Sequence, residues 1–166
     1  MEKGHARSAV RAWSPVAIDK AFAYVSDFSR HHEWAMDEIT VMPVTPGPVK
    51  LGSRFKSVGR QAGKDWPSDL EVTGYEPPAR FEFTATGGPL DSPPGDPHRH
   101  EFLLKAENDG TSIELRRSDP LPPNVAEWLF RLFGYLLLRS TLGKRKQTLE
   151  NLVNRLESQK GQPPSQ

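Results

Sequence analysis

The chain predicts an α+β fold in which a curved antiparallel sheet of about seven strands wraps one long C-terminal helix, with two short helices after the first strand. Three observations predict it. Segments that alternate apolar and polar residues recur through the middle of the chain and are separated by turn residues, as strands with one buried face require. Helical spacing is confined to two places, just after residue 14 and over the last forty residues or so. Antiparallel strands joined by hairpins, each with one apolar face, need a cover, and only the C-terminal helix is large enough to supply it.

The elements follow in order. "HARSAVRAW" sets Ala6, Ser8, Val10 and Ala12 against His5, Arg7, Ala9, Arg11 and Trp13, a strand with its small residues inward. "SP" then suggests a helix start, with Ser14 as N-cap and Pro15 just inside. Ile18, Phe22 and Val25 keep helical spacing with Ala21 beside them. Asp27 or Ser29 is placed to cap a second short helix, "RHHEWAMD". "EITVMPV" reads as a strand ending at Thr45-Pro-Gly-Pro. Residues 53–75 read as a hairpin turning at "QAGK", with Trp66, Ser68, Leu70 and Val72 on one face, and Pro67 suggests an edge strand or a bulge. "ARFEFTATG" puts Phe81, Phe83 and Ala85 on one face. Gly87–Pro97 reads as an exposed loop, and "HRHEFLLKAENDGTSIELRRSD" as a hairpin turning at Asn108-Asp-Gly110. Asn124–Glu157 is the long helix, with a late apolar stripe of Leu149, Leu152, Val153 and Leu156 and with Gly134 and Gly143 as points where it could loosen. The expected domain spans 5–157, and the apolar-free tail 158–166 is expected to be disordered.

Composition narrows the function classes. The 166 residues are enough for one domain with a substantial core. A net charge of +1, from 22 basic and 21 acidic residues, gives no global pull toward nucleic acid or anionic lipid. No cysteine is present, which removes disulfides, thiolate metal sites and a cysteine nucleophile. The N-terminus lacks the apolar core of a signal peptide, and Val125–Leu138 is too short and too charged for an integral membrane segment, so a cytoplasmic location is expected.

Within "DPHRHEFLLK", strand alternation puts His98, His100, Phe102 and Leu104 on one face. Two histidines at i and i+2 lie roughly 7 Å apart and can clamp an ion. A catalytic metal normally takes a third protein ligand, and no spacing marks one, so no metal and no cofactor are assigned. The same imidazoles can instead be polar points on a cavity wall, able to donate, accept and titrate near neutral pH. Arg117 shares the face of Ile113 and Leu115 on the paired strand. Pointing inward it would want an anionic partner, whereas at a strand end it would reach solvent. Trp66 is tilted by Pro67 toward a cavity mouth or packs in the core. Trp128–Leu138 is apolar on more than one face and predicts a homodimer contact through the C-terminal helix, a cavity lid, or weak membrane association. "GKRK", residues 143–146, reads as a solvated helix face without interleaved aromatics, and nucleic acid is not an expected partner.

The stretches "SPVAIDKAFAYVSDFSRHHEWA", "PGPVKLGSRFKSVGR", "LEVTGYEPPARFEFTATGGP", "HEFLL…GTSIELRR" and "TLENLVNRLE" resemble the START-like (SRPBCC) superfamily, the helix-grip fold of the plant pollen-allergen type. More narrowly they are similar to bacterial polyketide cyclase/dehydrase-like proteins. The resemblance covers roughly His5 to Glu157 and carries no catalytic motif residue by residue. It implies an internal cavity for a small hydrophobic or aromatic molecule, with polyketide cyclase, aromatase or dehydratase activity as one outcome. A lipid or small-molecule carrier or sensor without turnover is another. A third class is an interaction module using the Trp128–Leu138 surface. On this reading His100 and Arg117 are the candidate catalytic residues, and His98, Phe102, Trp66, Phe83, Leu115 and Phe133 line the ligand site.

Overall fold

The computed structural model describes residues 5–61, 63–88, 90, 94–120 and 125–159, with residues 61 and 125–141 described by backbone alone. The elements are β1 (His5–Ser14), α1 (Ile18–Ser26), a 3-10 turn (Phe28–Arg30), α2 (His31–Trp34), β2 (Glu38–Pro43), β3 (Arg54–Gln61), β4 (Lys64–Glu76), β5 (Arg80–Gly87), β6 (His98–Glu107), β7 (Gly110–Pro120) and α3 (Val125–Gln159). All neighbouring strands are antiparallel, in the order β1-β7-β6-β5-β4-β3-β2. β1 and β2 are consecutive strands yet form opposite edges of the sheet. The chain therefore has to cross from one edge to the other between them, and α1, the 3-10 turn and α2 make that crossing.

Alternation decides what each strand buries. Along β1 the odd positions His5 to Arg11 are exposed and the even positions Ala6 to Ala12 are partly buried. Phe55, Leu70, Val72, Phe81, Phe83, Phe102, Leu104, Ile113 and Leu115 supply the inner wall. Leu149, Leu152, Val153 and Leu156 of α3 are buried against this side, as their spacing predicts. Phe28 sits at the centre, its ring 4.3 Å from Phe55, 4.4 Å from His31 and 5.1 Å from Phe83. These tilted and edge-on contacts are the arrangements that aromatic quadrupoles favour.

The outer face carries charge instead. Arg11 and Arg116 both reach Glu114, Arg116 also approaches Glu101, and Arg80 bridges Glu101 at 2.8 Å and Glu82 at 2.6 Å. Arg99 adds a second guanidinium to Glu82.

The expected start of the first helix is corrected. α1 begins at Ile18 behind Ala17, which makes no side-chain cap, and Ser14 is the buried last residue of β1, paired with Thr111. The cause is tertiary. Thr111 Oγ1 donates to the Val16 carbonyl at 2.7 Å, and Val16 itself is buried, so residues 15–17 are held as a connector before the helix can start. Replacing Thr111 with Val orphans that carbonyl and is expected to cost about 1–2 kcal/mol, readable as a lowered urea midpoint with an unchanged slope. Asp27 does act as a cap, accepting from the Ser29 N–H at 3.0 Å, but it caps the 3-10 turn, and α2 ends at Trp34, short of the expected Asp37.

Pro67 neither lies on an edge strand nor makes a bulge. β4 is interior, Pro67 stands opposite Val58, and pairing with β5 begins one residue later at Ser68–Gly87, where the missing N–H is least needed. The register shift falls at Val72/Gly74 instead, and a Cβ at Gly74 would lie 2.9 Å from the Glu82 Cβ. In the β6–β7 hairpin Asn108 and Asp109 both have positive φ, 50° and 58°, the twist-matched turn that these two residue types tolerate. Gly110 is already the first residue of β7, and a Cβ there would come within 2.2 Å of the Ser14 carbonyl oxygen.

α3 runs without a break through Gly134 and Gly143 and ends at Gln159, two residues past the expected limit of the domain. The side chains of the Trp128–Leu138 surface, including Phe133, and the tail beyond Gln159 lie outside the described residues.

Candidate functional site

The sheet arranges its inner-face residues in rows that run across the strands. The first row is Ala6, Asp119, His98, Ala85, Leu70 and Phe55; the second is Ser8, Arg117, His100, Phe83 and Val72; the third is Val10, Leu115, Phe102 and Phe81. His98, His100, Arg117, Phe83, Phe102 and Leu115 therefore come together in three adjoining rows. Trp66 does not join them. It has the expected phase along β4, but it is only half-buried and stands opposite Gly59, beyond Ser68 and toward the β3–β4 turn.

The first two rows carry a polar cluster on a wall that is otherwise apolar. Asp119 is its hub. It accepts from His98 Nδ1 at 2.8 Å, from Arg117 Nε at 2.6 Å and from Arg145 Nη2 of α3 at 2.7 Å. Burial by itself would raise the Asp119 pKa, but the His98 hydrogen bond and the two guanidiniums outweigh it and hold the carboxyl well below the usual carboxylate range. An ionised carboxylate only accepts, so His98 Nδ1 carries the proton of this bond.

His100 stacks flat on Phe83, with ring centroids 4.8 Å apart and planes at 4°. Burial first, and the nearby Arg117 charge second, push its pKa well below that of a free imidazole, so it is neutral at physiological pH. His31 is buried between Phe28 and Trp34, and burial lowers its pKa to about 4. His31 Nε2, Trp34 Nε1 and Ser8 Oγ are buried without a hydrogen-bond partner among the described residues.

Three members of this neighbourhood were not marked by the sequence reading. Asp119 could have been found, because alternation from Arg117 puts it on the same face. Arg145 corrects the reading of "GKRK" as a solvated face, since its side chain is only 12% exposed and its charge is spent on Asp119. His31 lies within the run "RHHEWAMD", whose residue types give no hint of its aromatic surroundings. Among the described residues no group of three or more histidines and carboxylates is placed to hold a metal ion. No helix among them is long and apolar enough to cross a membrane. Two clefts formed by described residues, of about 280 and 610 Å3, open on the outer face: one beside Met42, Val58 and Leu90, the other beside Arg7, Arg99 and Arg116.

Comparison with known proteins bears on what such a wall is for. Residues 6–157 match the family described as polyketide cyclase / dehydrase and lipid transport. The chain belongs to that family. None of the curated proteins compared with it matches. Among solved structures, SA2116 of Staphylococcus aureus, a protein of unknown function, superposes with a TM-score of 0.74 at 10% identity, covering 97% of this chain and 99% of its own. Ara h 8.0201 superposes with a TM-score of 0.65 at 16% identity over 93% and 99% of the two chains. DynU16, from the dynemicin biosynthetic locus, gives 0.56 at 19% identity, covering 92% of this chain and 46% of its own. At these identities the likeness establishes the fold, which is the helix-grip fold of the START-like superfamily. This member of the polyketide cyclase/dehydrase and lipid transport family thus places its polar cluster on the sheet face that α3 covers.

Proposed function

We propose that the protein binds a small hydrophobic or aromatic molecule between the inner face of the sheet and α3, with the His98, His100, Arg117 and Asp119 cluster at the polar end of the site. The observation that carries this is His100. It stands in the middle row of an otherwise apolar wall, stacked on Phe83 on one side and paired with Arg117 on the other. The unpartnered His31, Trp34 and Ser8 atoms support the same reading, since buried polar groups are ordinarily satisfied. Phe83, Phe102 and Leu115 then form the apolar wall, and Trp66 stands apart from it.

The chemistry open to this wall is modest: holding a carbonyl compound in a reactive conformation, hydrogen bonding it through neutral imidazoles, and stabilising enolate charge. That is the chemistry of a cyclase or dehydratase. A carrier would use the same wall without turnover, and the family description spans both.

Native mass spectrometry of freshly purified protein tests the binding reading. A co-purifying small molecule, or stoichiometric uptake of added aromatic ketones, is expected, and a bare chain that takes up none would end it. If the bound molecule is converted, His100→Ala is expected to lower turnover by about 100-fold or more while ligand affinity stays within about threefold. A wild-type protein that returns every ligand unchanged is a carrier.

A further inference from the structure

Among the described residues the charges at the Asp119 hub do not balance. Arg117 and Arg145 are both cationic, Asp119 supplies one negative charge, and His98 takes up a further hydrogen bond of that carboxylate. The Asp119 carboxylate has two oxygens for three donors, and among the described residues neither guanidinium has a second acceptor. Burial first, and the nearby Arg117 charge as well, disfavour the cationic form of Arg145. A partly buried surplus cation is costly in the absence of a counter-ion. Holding α3 to the sheet would take one arginine and one aspartate; among the described residues the second guanidinium has no carboxylate of its own. Ser8 stands opposite Arg117 on β1, and its hydroxyl is buried without a partner among the described residues, one more donor beside the surplus charge.

From this geometry we infer that the natural ligand is an acid: an apolar or aromatic body that lies along His100, Phe83 and Phe102 and ends in a single carboxylate seated on Arg117 and Arg145. The inference rests on reading the inner face as a ligand wall, and it adds the ligand's charge and orientation. The carboxylate enters last and stays at the hub, whose side chains are about a quarter to a third exposed for Asp119, Arg117 and His98, while the body points toward the buried rows. Arg117 is then the group that positions the head.

The test uses a matched pair of probes, naphthoate and naphthamide, which share a body and differ in charge. Calorimetric titration of the full chain at neutral pH and low salt is expected to give naphthoate at least about tenfold tighter binding than naphthamide. Arg145→Gln and Arg117→Gln are each expected to cut that ratio, taken between the two probes within each variant, to about threefold or less. Equal binding of the two probes by the wild-type protein overturns the acid ligand and leaves the hydrophobic-ligand reading standing. Binding of neither probe overturns both. A ratio that survives Arg145→Gln, in a variant that merely melts at lower temperature, shows a mechanical tie and also overturns the inference. If the glutamine variants fail to fold, the wild-type ratio and its collapse in high salt decide the matter, because a neutral site would show neither.

Discussion

Acidification from neutral pH to about pH 5 is expected to remove about 2 kcal/mol of stability through His31 alone. The sign follows from proton counting. In the unfolded chain His31 titrates near its ordinary value of 6.5, and in the folded protein burial lowers it to about 4. Between those values the unfolded chain binds a proton that the folded one refuses, so stability falls as pH falls through this window and the loss levels off below it. His100 is shifted in the same direction, mainly by burial, and adds to the loss. Asp119 works in a different window. Its folded pKa is depressed, so its contribution is present above the unfolded value of 3.8 and is lost only in stronger acid. Urea unfolding across this range at fixed ionic strength reads the slope. His31→Phe keeps a ring against Phe28 and Trp34 and is expected to flatten the curve, at a cost of about 1 kcal/mol for the hydrogen bond to the Val25 backbone. A wild-type midpoint that does not move between neutral pH and pH 5 would mean that His31 protonates freely in the folded state.

Asp119→Asn is the second large effect, expected at about 2–4 kcal/mol. Removing one side of a buried ion pair costs about 3–5 kcal/mol, because the partner charge is stranded. Here two guanidiniums are stranded together, but the Asp119 side chain is 23% exposed, which lets water and salt share the load. The amide oxygen still accepts one hydrogen bond, while the charge is gone. For a chain of this size the melting temperature should drop by about 5–10 °C, and added salt should restore part of it by screening the Arg117–Arg145 repulsion. A drop of under about 2 °C with no salt response would show that both arginines simply turn to solvent.

What could be read from the chain, and what could not, divides along the range of the interactions. Period-two alternation put His98, His100 and Phe102 on one face and Arg117 with Leu115, because side-chain direction on a strand is a local property. The stripe of Leu149, Leu152, Val153 and Leu156 was legible for the same reason. Ser14-Pro15 misled because the decisive bond ties Val16 to Thr111, 95 residues on, and a distant hydroxyl outweighs a local cap. Arg145 looked like one of three exposed cations, and only the approach of α3 to β7 gives it Asp119, 26 residues earlier. His31 sits in a polar-looking run, yet the 3-10 turn before it swings its ring into the aromatic centre. Trp66 was phased correctly, but phase does not tell how far along the strand the wall extends.

The charged outer face has a consequence for how the sheet assembles. A strand that slips by one residue exchanges its buried and exposed sides and is rejected by the core. A slip by two keeps the sides and escapes that check. On this sheet such a slip between β1 and β7 would set Arg11 opposite Arg116 in one direction or Arg7 opposite Arg116 in the other, in place of the native Arg11–Glu114 pair. Between β6 and β7, one direction of slip would face Glu101 with Glu114 and Arg99 with Arg116. Like charges directly opposite are unfavourable, so the arginines and glutamates act as a proofreading code: they penalise out-of-step pairings that hydrophobicity alone would accept.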